Sequence, residues 1–340
     1  MKVSSKHSRR RKAKPSRTHK KSTPRASNNH SGKKSWRERR TNDVTFLMAQ
    51  PLARLSWAVH GFSTRQGGAS HLDKSPRCRG GVLNLGFTEW DTREAVEANR
   101  KAFLQALGAD GMKLVTLKQI HSDAIHLTND APANSLSVPA CSGDALITRT
   151  RGLLLAVQTA DCVPVLLADH KLHAVAAIHA GWRGTLARIV AKTVGRMNME
   201  FGSRPQDLVA SIGPAIGRCS YEVGPEVAQA FAGQFPNARE WFDFPHGLRD
   251  GQSDEQFIAG EGPNPLKWLS MMPPGHDAPP PSVNLDLMAA NRWQLLDAGV
   301  PAKNIVASKL CTACNTDILF SHRRENGRTG RMLAAIGLRP

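Results

Sequence analysis

The chain contains no apolar run long enough to cross a bilayer. Its best candidate, residues 152–168, is interrupted by Gln158, Asp161 and Pro164, so no membrane span is expected. Cysteine is sparse as well. Six residues (78, 141, 162, 219, 311 and 314) are spread over 340 positions with no secretory signal, which favours reduced thiols in cytoplasm over a disulfide scaffold. Leu, Ile and Phe are missing from the first 45 residues. Such a segment buries too little apolar surface to offset the entropy of ordering, and residues 1–44 are read as a disordered tail.

What the tail does have is positive charge. Sixteen of the 46 Lys and Arg residues and one of the 28 acids lie within residues 1–40, so this segment carries +15 of the formal +18. The remaining +3 makes the body nearly balanced. Basic runs such as Arg9-Arg10-Arg11-Lys12 suit non-specific binding of polyanions through counterion release. They carry no interleaved aromatic residue to stack on bases. The tail also lacks the apolar helix face of a mitochondrial presequence.

From residue 45 onward, the pattern alternates between strand and helix, predicting one α/β (α+β) domain over 45–340. Residues 93–107 read as a helix stopped by Gly108. Apolar runs at 114–120, 144–148, 153–157, 163–167, 174–178, 207–213, 305–308 and 332–338 read as strands. Residues 236–281 are rich in Pro and Gly and read as a surface insertion.

Three residues close apolar runs: His121, Cys162 and His179. Strand ends converge at the rim of a sheet, where two imidazoles and a thiol would suit zinc and leave a fourth position for water. Separate core or rim positions are the alternative. After His179, Gly181 and Gly184 bracket Trp182-Arg183, and Thr185 is placed to cap a helix over Leu186 to Met197. A helix N-terminus at Gly184-Thr185 beside Arg183 is a natural anion site; an ordinary strand-to-helix turn reads equally from these residues.

The segments HGFSTRQGG, KQIHS, TADCVPV, HAGWRG, IGPAIGRCSYEV and CTACNTDILFSHRRENGRTGR, in this order, resemble one family over residues 59–338, apart from an insertion at 244–281. It was named for a multicopper polyphenol oxidase, or laccase, domain. It is now understood as purine nucleoside phosphorylases with adenosine deaminase side activity, with a bacterial branch described as a peptidoglycan editing factor. The resemblance implies mixed sheets covered by helices, one zinc per chain held by His121, Cys162 and His179, and purine nucleosides plus phosphate as substrates. Copper is disfavoured, because multicopper centres use His-x-His pairs and this chain has none. The usual zinc deaminase signature, His-x-Glu before Pro-Cys-x-x-Cys, is missing too.

Phosphorolysis needs bound phosphate, stabilisation of the leaving purine and exclusion of water. Arg65, Arg183, Arg323 and Arg324 are the candidate anion binders, with Gln119, Gly184 and Thr185 as further substrate contacts. Asp161, beside Cys162, is a candidate to orient a ligand or move a proton. Two other readings use the same residues: a cysteine hydrolase with Cys162 as nucleophile and His179 as base, and a metal-stabilised binding or editing protein. The pair Cys311 and Cys314 lacks a partner pair for a zinc or redox motif.

Overall fold

In the computed structural model, described for residues 1, 35–71, 81–243 and 282–340, four layers stack as helix, sheet, sheet, helix. The first mixed sheet runs Trp36–Thr41, Val44–Ala49, Ala58–Ser63, Met332–Leu338, Leu153–Thr159, Lys113–Val115. The second runs Ile305–Ala307, Leu208–Ile212, Val163–Asp169, Ala174–Ala180, Ala145–Thr148, Ile125–Leu127. Both are antiparallel within and parallel at one edge pair or both.

The apolar runs are continuous because these strands are buried on both faces. Leu153, Leu155 and Val157 pack between the sheets with Leu166, Ala168, Val175 and Ala177. Leu154 and Ala156 point the other way, onto Phe103 and Leu104 of helix Arg93–Leu107. In the second sheet Val163, Val165 and Leu167 face the helices Ile189–Phe201, Pro225–Gln234 and Leu287–Asp297. Truncating a wholly buried inter-sheet side chain such as Leu166 to Ala should cost about 2–5 kcal/mol.

Helix Arg93–Leu107 has the sequence limits expected. Thr92 accepts the Ala95 N–H, and Gly108 closes the helix at φ 64°, giving its N–H to the Leu104 and Gln105 carbonyls.

The boundary of the body departs from the expectation of a tail over 1–44. Trp36–Thr41 pairs antiparallel with Val44–Ala49 through Asn42 and Asp43, both at positive φ as a tight hairpin requires. Trp36 donates its Nε1–H to the Ala307 carbonyl and packs its ring edge against Phe62 at 5.2 Å. The strand WRERRT looks like tail because it is an edge strand with its charged residues in solvent, a common defence against edge-to-edge pairing. Residues 2–34 lie outside the described residues.

Residues 236–243, read from sequence as part of a surface insertion, belong to the folded body. Trp241 and Phe242 are buried with Phe231 and Phe235 in an aromatic cluster that includes Trp293. Aromatic burial here overrides the loop-like composition around Pro236. Residues 244–281 lie outside the described residues. No helix among the described residues is long and apolar enough to cross a membrane.

Candidate metal and active site

The donors meet where two neighbouring strands of the second sheet end. Val163 pairs with Ala180 and Pro164 with His179, so Cys162, one residue before its strand, lies beside His179. His179 shares the parity of Val175 and Ala177, so it continues their inter-sheet face to the rim. His121 arrives from the loop after Leu117–Lys118 with φ 57°, a left-handed turn that aims its ring at the same point. The His121 and His179 rings stand edge to face, 5.0 Å apart, and the three donor atoms lie within 4.8 Å of one another.

Asp144 builds this corner. It is fully buried just before Ala145–Thr148. Its carboxylate accepts the backbone N–H groups of Ile120 (3.3 Å), His121 (3.1 Å) and Ser122 (2.7 Å) and the Ser122 hydroxyl (2.8 Å). His179 Nδ1 lies 2.9 Å from the same carboxylate, so Nδ1 carries the proton and Nε2 is left for the cleft. Burial pushes the Asp144 carboxyl up, but the bonds from His179 and Ser122 outweigh it and hold the acid at about 2. In the sequence Asp144 reads only as the start of a strand; a carboxylate opening an otherwise apolar strand is the one local signal of its role.

The donors also tune one another. Burial raises the Cys162 thiol, and the His179 charge with hydrogen bonds from His121 and His179 overcomes this, bringing it down to about 6. Burial alone would lower His179; the Cys162 thiolate and Asp144 carry it up to about 9. These opposed shifts favour a thiolate–imidazolium pair between Cys162 and His179. Gly181 leaves the space: a Cβ there would lie 3.0 Å from His121 Cδ2 and 3.1 Å from Cys162 Sγ. Two imidazoles and a thiolate at this spacing can hold a metal ion.

All three donors lie within a stretch that matches a known family. Residues 59–255 and 269–339 match the family described as multi-copper polyphenol oxidoreductase laccase. The chain belongs to that family. A Bacteroides thetaiotaomicron protein named purine nucleoside phosphorylase is 35% identical over 303 residues, covering 87% of this chain and 97% of that protein. A protein of an unknown prokaryotic organism, named adenosine deaminase RL5, is 32% identical and covers 82% of this chain and 93% of its own length. The crystal structure of a Bacillus licheniformis hypothetical protein, YfiH, superposes with a TM-score of 0.70 at 30% identity. It covers 88% of this chain and 97% of that one.

The other residues singled out from the sequence separate into rim and support. Arg183 is exposed and stacks its guanidinium over Trp182 at 4.4 Å. Arg323 lies over the Tyr221 ring at 5.5 Å and bonds the Glu222 carbonyl. Burial raises the Tyr221 hydroxyl, the Cys162 charge adds to the rise, and Arg323 and Arg183 oppose it, so all four groups share one neighbourhood. Arg331, not singled out from sequence, is half-buried within electrostatic reach of Cys162 and Asp161. The sequence signal was its place at the end of the GRTGR segment. Arg324 is exposed, and its backbone N–H bonds the Ser321 hydroxyl.

Asp161 is a tie between loops. One carboxylate oxygen accepts the Thr312 hydroxyl at 2.6 Å, the other accepts the Arg323 N–H at 2.7 Å, and its carbonyl accepts Ile216 N–H. Its φ of 103° costs about 1–3 kcal/mol, held by these bonds. Arg65 is buried with Nη1 on the Thr316 carbonyl and Glu325, and its guanidinium lies over Phe320, so its charge serves the 316–325 loop. The Gln119 amide clasps both backbone groups of Gln158.

Thr185 is no helix cap. The helix Trp182–Leu186 starts after Gly181, and Thr185 is buried inside it, accepting from Asn291 Nδ2 at 2.9 Å. A second helix, Ile189–Phe201, follows a left-handed Arg188. Glycines at both 181 and 184 look alike in sequence. The tertiary contact of Gly184, whose Cβ would sit 3.0 Å from the Ser122 carbonyl, shows that one serves close packing.

Proposed function

We propose that the chain is a zinc-dependent purine nucleoside phosphorylase. It cleaves adenosine or inosine, and methylthioadenosine as a further substrate, with phosphate to purine base and ribose 1-phosphate. It deaminates adenosine as a second activity. The observation that carries this reading is the cluster of His121, Cys162 and His179, with Arg331 in electrostatic reach of Cys162 and with Arg183 and Arg323 in reach of the neighbouring Tyr221. The names of the relatives support the substrate class. The chain has no His-x-His pair, which supports zinc over a multicopper centre. The five described cysteines are free thiols, which fits a reducing, cytoplasmic setting.

In phosphorolysis, a phosphate oxygen displaces the purine at the anomeric carbon. The electron pair of the broken carbon–nitrogen bond leaves with the base, which takes up a proton. Arg183 and Arg323, whose guanidinium groups lie over Trp182 and Tyr221, would hold the dianion, and Arg331, in electrostatic reach of Cys162, would balance the charge gathering there. Tyr221 stays protonated throughout the physiological range and offers one donor at this wall. Asp144 keeps the His179 tautomer fixed. Zinc, when bound, would supply a Lewis acid that polarises a substrate oxygen or lowers the pKa of a water.

The test is product formation from inosine and adenosine with and without phosphate, beside metal analysis of the wild type and Cys162→Ala. Phosphate-dependent release of base with about one zinc lost in the variant is expected. Base release without phosphate would make the enzyme a hydrolase.

One arrangement favours a second reading. Cys162, His179 and Asp144 form a thiolate, imidazolium and carboxylate in series, the order of a cysteine hydrolase. That reading requires metal-free active protein whose Cys162 is alkylated with loss of activity. A binding or peptidoglycan-editing protein, in turn, would release no base under any condition.

A further inference from the structure

A second sulfur cluster lies outside the donor set above. Cys219, Cys311 and Cys314 bring their Sγ atoms within 4.8 Å of one another, with Cys219 and Cys314 3.5 Å apart. Cys219 follows the strand-end segment 213–217, while Cys311 and Cys314 come from the C-terminal loop. The two segments are joined by the Ala215–Cys311 bridge. Over the three sulfurs sits one hydroxyl: Ser220 Oγ is 3.5 Å from Cys219, 3.4 Å from Cys314 and 3.7 Å from Cys311.

These spacings match one coordination geometry. With zinc–sulfur bonds of about 2.3 Å and a zinc–oxygen bond of about 2.0 Å, a tetrahedron places sulfurs about 3.8 Å from one another and about 3.5 Å from the oxygen. The hydroxyl distances fall around the second value. Cys311 is buried and receives the Gly217 N–H on its sulfur at 3.2 Å, which favours the thiolate a metal needs. Cys219 and Cys314 are exposed, so an ion has a route in.

We propose that Cys219, Cys311, Cys314 and the Ser220 hydroxyl bind a thiophilic divalent cation of the zinc class in a closed, four-coordinate site. A closed shell leaves no position for substrate, so the role is structural. Thr312, next to Cys311, and Arg323 both bond Asp161, which precedes Cys162. Tyr221 follows Ser220. The ion clamps together the two loops that form this wall of the first site. The reading stands on the cluster's own geometry and does not depend on the activity proposed above.

The test uses zinc as the probe. In reduced wild-type protein, zinc should slow alkylation of Cys219 and Cys314 on the order of ten-fold, while Cys141, outside either cluster, keeps its rate. The Cys162→Ala/His179→Ala variant should still take up about one Co²⁺ per chain, with sulfur-to-cobalt charge-transfer absorption. Adding Cys219→Ser and Cys314→Ser should abolish it. Full alkylation of both thiols in the presence of zinc would overturn the proposal. So would a Cys219–Cys314 disulfide in freshly isolated protein that resists conversion to a zinc site after reduction.

Discussion

His179 Nδ1 donates to the Asp144 carboxylate across 2.9 Å, and the same carboxylate accepts the His121 backbone N–H at 3.1 Å. One buried acid therefore orients two of the three donors. Asp144→Asn keeps the volume but removes the charge and one strong acceptor. Zinc affinity should fall about 10–100-fold, measured by competition with a chromogenic chelator on protein whose fold is checked by circular dichroism. Wild-type affinity in the variant would show that Asp144 serves the loop alone.

Metal binding should be linked to a single proton. His179 draws the Cys162 thiol down to about 6, and Cys162 and Asp144 carry His179 up to about 9, so before an ion binds at pH 7.5 the thiol is expected as thiolate and the imidazole as imidazolium. Binding then expels one proton, from His179 and not from Cys162. Affinity should rise with pH as His179 loses its proton, and more steeply below about 6, where Cys162 is protonated as well. Calorimetry in buffers of different ionisation enthalpy counts the protons. Two protons released at pH 7.5 would place Cys162 as a neutral thiol.

Arg183→Ala should raise the phosphate KM about ten-fold or more, since a hydrogen bond to a charged group contributes about 1.5–3 kcal/mol. The KM for nucleoside should move less. Its guanidinium is exposed beside Trp182, so the fold should keep its melting temperature. Unchanged phosphate kinetics would shift the anion contact to Arg323 and Arg331.

Truncation should distinguish the tail from the body. Removing residues 2–34 should leave nucleoside turnover nearly unchanged and weaken polyanion binding at low salt. Removing residues 2–40 deletes most of Trp36–Thr41 and the Trp36 contacts with Phe62 and Ala307, so thermal stability should fall. Two truncations of equal stability would mean the edge strand adds nothing to the sheet.

The helix Arg93–Leu107 and the strand Met332–Leu338 were legible in sequence because local signals agree with the tertiary outcome: Gly108 stops the first, and a bounded apolar run makes the second. Strand Trp36–Thr41 was illegible because pairing, not apolarity, makes it a strand. In the site, His121, Cys162 and His179 stood out by residue type at the ends of apolar runs. Asp144, Tyr221 and Arg331 did not, since a carboxylate, a phenol and a guanidinium are ordinary surface groups until packing places them.

The sequence by itself determined which segments are apolar on both faces, where charge accumulates and which side chains have the chemistry to ligate. These are properties of residue type and local period. Only the tertiary structure decided that Cys162 and His179 are neighbours, through the pairing of Val163 with Ala180. It likewise decided that Arg65 and Gln119 hold loops, and that Ser220 rests on three sulfurs. Contacts between residues far apart in the chain depend on how the two sheets stack. Local periodicity fixes which face of a strand is buried and leaves open what packs against it.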